Sequence, residues 1–230
     1  MRTQYVYRDI AGLTTVLVVL LGFGMLLSVV GLLSSFLQLE LLDRPQFTEA
    51  EGEANDFRET VVGWVTLVFH LVTVVFFCKW IVRANKNVRA LGAVDLPITP
   101  GWAVGYFFVP FLNLVRPYQA MRDMAKASND PAEWRAAAAG PVLPIWWTLW
   151  LVSGFVGQTA FRLNLHAKDV EGFRVATFAE IAAAVMEIPL GVVAILLVSQ
   201  IAAAQIRQAR DAPRLADAFD PDDEPESWRS

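Results

Sequence analysis

The chain has 230 residues, of which 55% are hydrophobic, 12% aromatic and 18% charged, with a formal net charge of −4. A soluble domain carries roughly 25% charged residues. Here the deficit is concentrated in a few long uncharged runs, which excludes an ordinary water-soluble domain. The single cysteine, Cys78, excludes an internal disulfide, and no basic run points to nucleic acid.

Spanning hydrocarbon takes about 20 apolar residues of helix. The runs Ile10–Leu39, Thr60–Cys78, Ala136–Phe161 and Ile188–Ile206 are free of Asp, Glu, Lys and Arg and meet that need. They predict four spans, over about 10–39, 60–82, 140–161 and 175–206, in a membrane domain of residues 10–210. Residues 1–9 form a short N-terminal segment. The first run follows positive residues, as a secretory signal does, but its thirty residues far exceed the roughly 7–15 of a signal's apolar core, so a retained signal-anchor helix is expected.

Gly24, Ser28, Gly31 and Ser35 line one face of the first helix, where small residues let another helix approach closely inside lipid. A sibling span and a second subunit both fit that face. The acidic connection "ELLDRPQFTEAEGEANDFRE" reads as solvated, mobile polypeptide. In the second helix, Trp64 and Trp80 fit interfacial aromatic belts, and His70 lies about ten residues, roughly 15 Å, from the outer end. Past Trp80 two stripes keep the helical period: Trp80, Ala84, Val88 and Leu91 on one, and Lys79, Arg83, Lys86 and Arg89 on the other. A helix continuing out of the bilayer, with charge that sets topology and attracts anionic lipid, accounts for both.

Residues 97–127 begin "PITPGWAVGYFFVPFLNLVRPYQAM". Pro110 removes a helical hydrogen bond, and Val109 and Arg116 are pushed from helical geometry by the prolines that follow them. Two short helices are predicted, one opening near Pro100 and the other near Pro110 or Pro117, because proline suits a first helical position. A crossing here would put the basic residues before and after it on opposite sides, so a re-entrant or interfacial segment at the inner leaflet is expected instead. Irregular backbone at that depth survives where protein or water satisfies its freed groups. Asn85, Asn87, Asn113 and Arg116 either line a pocket there or tie down the broken backbone, and Trp102 sits in the same segment.

The third helix carries Trp146, Trp147 and Trp150. The fourth contains Glu180 and Glu187, seven residues apart on one face, then Pro189. Ionisable residues inside a bilayer are costly and usually face a bundle interior. His70 and Glu187 fall at similar depths, with Ser28 and Ser153 near them and Glu180 closer to the outer surface. This polar track either relays protons or a cation or joins helices by hydrogen bonds. No metal site is expected, because His166 lies in an outer loop. The acidic tail, 211–230, reads as disordered.

Segments 1–9, 79–135 and 207–230 hold fourteen of the nineteen Lys and Arg residues. The positive-inside rule then places both termini in the cytoplasm, which four crossings satisfy. Phosphate loops, paired-histidine motifs, nucleophile elbows and twin-cysteine zinc spacings are all missing from the sequence.

The run from Trp80 to Ser128, through Arg83, Asn87, Pro100, Trp102, Gly105, Pro110, Asn113, Arg116 and Pro117, resembles the bacterial membrane proteins grouped as domain of unknown function 4328. "WWTLWL" from Trp146 and "QIRQAR" after the fourth span are similar as well. Val115 departs from the tryptophan that often precedes the Arg-Pro pair in that family. The resemblance implies four spans with a broken hydrophobic insertion between the second and third, and turns attention to Asn87, Asn113 and Arg116. It transfers no catalytic residue.

The sequence thus predicts an all-α, polytopic, multi-pass protein of the bacterial cytoplasmic membrane, non-enzymatic and without cofactor. Its expected role is sensing, scaffolding, or lipid or small-ligand binding at an inner-leaflet groove formed by Asn87, Trp102, Asn113 and Arg116. The alternative is a small transporter or channel subunit with a proton or cation path along His70, Glu180 and Glu187. Membrane lipids are the expected partners, together with a second copy or another membrane protein, and nucleic acid is not.

Overall fold

The computed structural model describes residues 5–218, with side chains to residue 211. Among these residues the chain is all-helical, without strands. Helices α1 (Ala11–Leu42) and α2 (Glu49–Ala90) are followed by the short α3 (Pro100–Gly105) and by two 3-10 turns, Tyr106–Phe108 and Leu112–Leu114. Then come α4 (Arg116–Asn129), α5 (Val142–His166) and α6 (Val170–Ala218).

Among the described residues three helices are long and apolar enough to cross a membrane: α1, α2 and the Val170–Asp211 part of α6. The expected fourth, α5, has 25 residues but falls outside that set. The polar indole N–H lowers tryptophan on the hydropathy index, so Trp146, Trp147 and Trp150, with Ser153, Gln158 and Thr159, reduce the mean hydropathy of the helix.

The acidic connection departs from the expected mobile loop, because helix α2 already begins at Glu49. Thr48 and Glu51 form a reciprocal capping box. The Thr48 backbone N–H donates to Glu51 Oε2 at 2.8 Å, and the Glu51 N–H donates to Thr48 Oγ1 at 3.3 Å. The second of these satisfies a donor that the first turn of any helix leaves without a partner. At the other end of the chain, α6 continues to Ala218 into the expected tail; residues 219–230 lie outside the described ones.

The chain divides into two compact units. Unit 1 comprises Met1–Thr14, Trp80–Gly140 and Ser199–Ser230. Its core includes Trp80, Ile81, Ala84, Val88, Met121, Met124, Trp134, Ile201 and Ala204. The predicted stripe of Trp80, Ala84 and Val88 is the buried face of α2, so Trp80 is a core residue and not part of an interfacial belt. Its indole Nε1 donates to Thr14 Oγ1 at 2.9 Å. Helix α2 ends in a Schellman motif: Ala93 N–H donates to Val88 O at 3.0 Å and Gly92 N–H to Arg89 O at 3.2 Å. Gly92 supplies the required left-handed residue at φ 108°.

The proline-broken segment of unit 1 forms the two short helices the prolines predict. Pro100 opens α3 and Pro117 lies in the first turn of α4. Between them Val109 is extended, and Phe111 adopts φ 64°, a region costly for a bulky residue. Helix α4 buries Pro117, Ala120, Met121, Met124 and Ser128 along one face.

Unit 2 comprises Thr15–Lys79 and Pro141–Val198. It inverts the usual distribution of polarity. Val19, Phe23, Leu26, Leu33, Trp64, Val68, Leu71, Phe155, Phe178 and Val185 are exposed, whereas Ser34, Ser35, Gln38, Asn55, Ser153 and Thr177 are buried. Such a surface suits lipid better than water.

Candidate functional site

The sequence-predicted residues separate into three groups with different surroundings. Asn87, in unit 1, is fully buried. Its side chain pairs with both backbone groups of Arg8: Oδ1 accepts from the Arg8 N–H at 3.1 Å, and Nδ2 donates to Arg8 O at 2.9 Å. Nδ2 also reaches Gln205 Oε1 at 3.3 Å. Gln205, equally buried, donates to Ala84 O at 3.1 Å and to Ser128 Oγ at 3.0 Å. Asn87 is therefore the hub that holds the N-terminal segment onto α2, and its hydrogen-bonding capacity is taken up within the chain. Arg83 adds a bond from NH1 to Asp9 O at 3.1 Å. Asn85 is buried as well and accepts from Arg89 Nε at 3.2 Å, while Arg89 NH2 holds the following loop through Leu96 O and Ile98 O.

Trp102, Asn113 and Arg116 belong to the broken segment. The Trp102 ring lies 5.0 Å from that of Tyr106, and Arg116 stands over the Tyr106 ring at 5.8 Å. Arg116 NH1 donates to Gln119 Oε1 at 3.1 Å. Around this cluster Phe108, Phe111, Leu112, Leu114 and Val115 are exposed, Phe111 by 85%. Asn113 is half-buried in the second 3-10 turn. Arg116 and Asn87 share no hydrogen-bond partner, so the sequence-predicted quartet is a buried hub plus an exposed aromatic and cationic tip.

The third group is in unit 2. Where α1 and α2 are joined, a polar layer links three helices. Arg58 of α2 donates from Nε to Ser34 Oγ at 3.0 Å and from NH2 to Asn55 Oδ1 at 2.6 Å, and it pairs with Glu59 at 3.2 Å. Ser34 donates to Glu59 Oε1 at 2.7 Å. Gln38 of α1 accepts from Asn55 at 3.3 Å and donates to Thr177 of α6 at 2.7 Å. Glu180 accepts from Asn164 of α5 at 2.5 Å and lies within electrostatic reach of Glu59. Sequence reasoning had found Glu180 but missed Ser34, Gln38, Asn55, Arg58, Glu59 and Thr177. The available signal was the presence of Ser34 and Gln38 inside an otherwise apolar run.

Deeper in unit 2, Glu187 lies within electrostatic reach of His70, but no hydrogen bond or ion pair joins them among the described residues. Ser153 is buried and its Oγ has no hydrogen-bond partner. No cluster of three or more His, Cys, Asp or Glu side chains suited to a metal occurs among the described residues.

Described residues that are all-helical, with three helices among them apolar enough to cross a membrane and with apolar side chains facing outward in unit 2, are compatible with a membrane protein. The chain belongs to the family described as Domain of unknown function (DUF4328), which matches residues 44–203. No curated protein and no solved structure matches it. The resemblance read from Trp80 to Ser128 is thus correct, and the matched region takes in the broken segment, Glu187 and the Asn55, Arg58, Glu59 and Thr177 part of the polar layer, with Ser34 and Gln38 outside it.

Proposed function

We propose that this is a non-enzymatic, multi-pass protein of the bacterial cytoplasmic membrane that binds lipid at the inner leaflet through its proline-broken segment. The observation that carries this reading is the tip of that segment, where Phe108, Phe111, Leu112, Leu114 and Val115 are exposed beside Arg116 and the Trp102–Tyr106 pair. Exposed aliphatic and aromatic side chains enter the acyl boundary, and aromatic rings with an arginine suit the headgroup level above it.

In this reading α5 is the fourth span. Its 25 residues extend about 37 Å, more than the roughly 30 Å of hydrocarbon, and Trp146, Trp147 and Trp150 form one continuous aromatic cluster near its start. Both termini then lie in the cytoplasm and the broken segment stays on their side. The partners are membrane lipids, with a second copy or another membrane protein on the apolar helix faces. A transport role along His70, Glu180 and Glu187 is the second reading, supported by the polar interior of unit 2.

The test is native mass spectrometry of the protein released from membranes. Retained anionic lipid in the wild type and its loss in Arg116→Ala support the lipid reading. Equal retention in both proteins, or none in either, removes it.

A further inference from the structure

The hydrogen bonds and ring contacts within unit 2 fix the register of its helices. Phe23 meets Phe69 with ring centroids 4.7 Å apart, which sets α1 against α2. Phe77 meets Trp146 at 6.1 Å, which sets α2 against α5. A Cβ added at Gly191 would stand 2.7 Å from Met25 Cγ, which sets α6 against α1. Counting along antiparallel helices from these contacts, His70, Ser153, Phe23 and Gly191 share one layer. Glu187 lies one turn from Gly191 toward the Glu180 end, about 6 Å along the axis, with Ser28 of α1 at its level. Glu180 is two turns further, about 10 Å, in the layer of Ser34, Arg58 and Glu59.

Of the polar groups in these three layers, Glu187 is the carboxylate without a hydrogen bond or ion pair among the described residues. Glu59 has Arg58 and Ser34, and Glu180 has Asn164. Glu187 is also an exposed residue of the isolated chain. In a membrane-spanning protein that exposure is to lipid or a neighbouring helix, where a bare carboxylate is costly and uptake of a proton removes the cost. Ser153 adds an independent observation, a hydroxyl that is 5% exposed and has no partner, in the layer of His70.

We propose that Glu187 is an intramembrane proton-binding site, reached from the Glu180 layer and coupled to His70. The ligand is a proton. The Glu187 carboxylate takes it up to become a neutral carboxylic acid and returns it as the carboxylate. The charged groups around the site are accounted for element by element: His70 on α2, Glu180 on α6 itself and, through the outer layer, Arg58 and Glu59. Helix α1 contributes the Ser28 hydroxyl, which is bonded to Gly24 O at 3.2 Å, and α5 contributes Ser153. This site differs in place and ligand from the lipid-binding tip, so either proposal can fail alone.

The experiment is infrared difference spectroscopy of the full chain in lipid nanodiscs across a pH titration, following the C=O stretch of protonated carboxyl groups and its shift in heavy water. The surface carboxyls give a common background, so the reading is the C=O component present in the wild type and missing from Glu187→Gln; Glu180→Gln should retain that component. His70→Gln leaves Glu187 in place and should shift the midpoint of that component, which keeps the test decisive even where Glu187→Gln folds poorly. A titrating band identical in the wild type and Glu187→Gln, or a Glu187 component whose midpoint is indifferent to His70→Gln, overturns the proposal.

Discussion

Asn87→Ala separates a structural hub from a ligand-binding residue. The substitution removes the two bonds to the Arg8 backbone, at 3.1 and 2.9 Å, and the bond to Gln205 at 3.3 Å. A net hydrogen bond contributes about 1 kcal/mol, and a buried group left without a partner costs about 1–3 kcal/mol. Arg8 can turn to water, but Gln205 is fully buried, so its Oε1 bears most of that second cost. The expected loss is about 3 kcal/mol, or roughly 6–12 °C in Tm at about 2–4 °C per kcal/mol for a chain of this size. Thermal unfolding of detergent-solubilised protein, followed by tryptophan fluorescence, measures it. The double variant with Gln205→Leu should destabilise by clearly less than the sum of the two single changes, because the same bond is lost in both. A shift under about 2 °C for Asn87→Ala, or strict additivity with Gln205→Leu, would refute the hub.

Two further predictions concern helix ends and helix contacts. The Thr48 backbone N–H and hydroxyl, with Arg44 assisting, hold the Glu51 carboxyl below its ordinary pKa. A carboxyl depressed on folding stabilises above its unfolded value, and that contribution is lost as pH falls through the lower folded value. Amide protection at the start of α2, taken relative to the intrinsic exchange rate at each pH, should therefore fall as pH drops from the ordinary carboxylate range through the lower folded value, and Glu51→Gln should flatten the response. Gly191→Ala should destabilise unit 2 by about 1–3 kcal/mol through overpacking against Met25, with partial rescue by Met25→Ala. Gly24→Ala and Gly31→Ala, where a Cβ meets nothing within 4 Å, should stay within about 0.5 kcal/mol unless a second copy covers that face.

Local rules made part of this fold legible. Prolines at 100, 110 and 117 foretell a break and two short helices because the restriction acts on the residue itself and its neighbour. The stripe of Trp80, Ala84 and Val88 foretells the buried face of α2 for the same reason, since helical period is local. The early start of α2 was also written locally, in Thr48 and Glu51, but the acidic composition around them favoured a loop reading. Long-range pairing was not legible. Asn87 was singled out, yet its partners Arg8 and Gln205 lie 79 and 118 positions away, and nothing near it in sequence distinguishes a saturated amide from a vacant one. Trp80 fits both an interfacial belt and a core position by spacing alone, and the Thr14 hydroxyl decides between them. The Ser34, Gln38, Asn55 and Arg58 layer escaped notice because its members are spread over two helices, and Asn55 and Arg58 lie in a segment read as a loop.

The central claim is that the segment from Pro97 to Ala127 returns to the side from which it came. In a Cys78→Ser background, single cysteines at Val94 and Ala132, both exposed positions flanking that segment, can be labelled with a membrane-impermeant maleimide in intact cells and in inverted vesicles. The account predicts that both react in inverted vesicles and that neither reacts in intact cells. Labelling of the two positions from opposite faces of the membrane would contradict it.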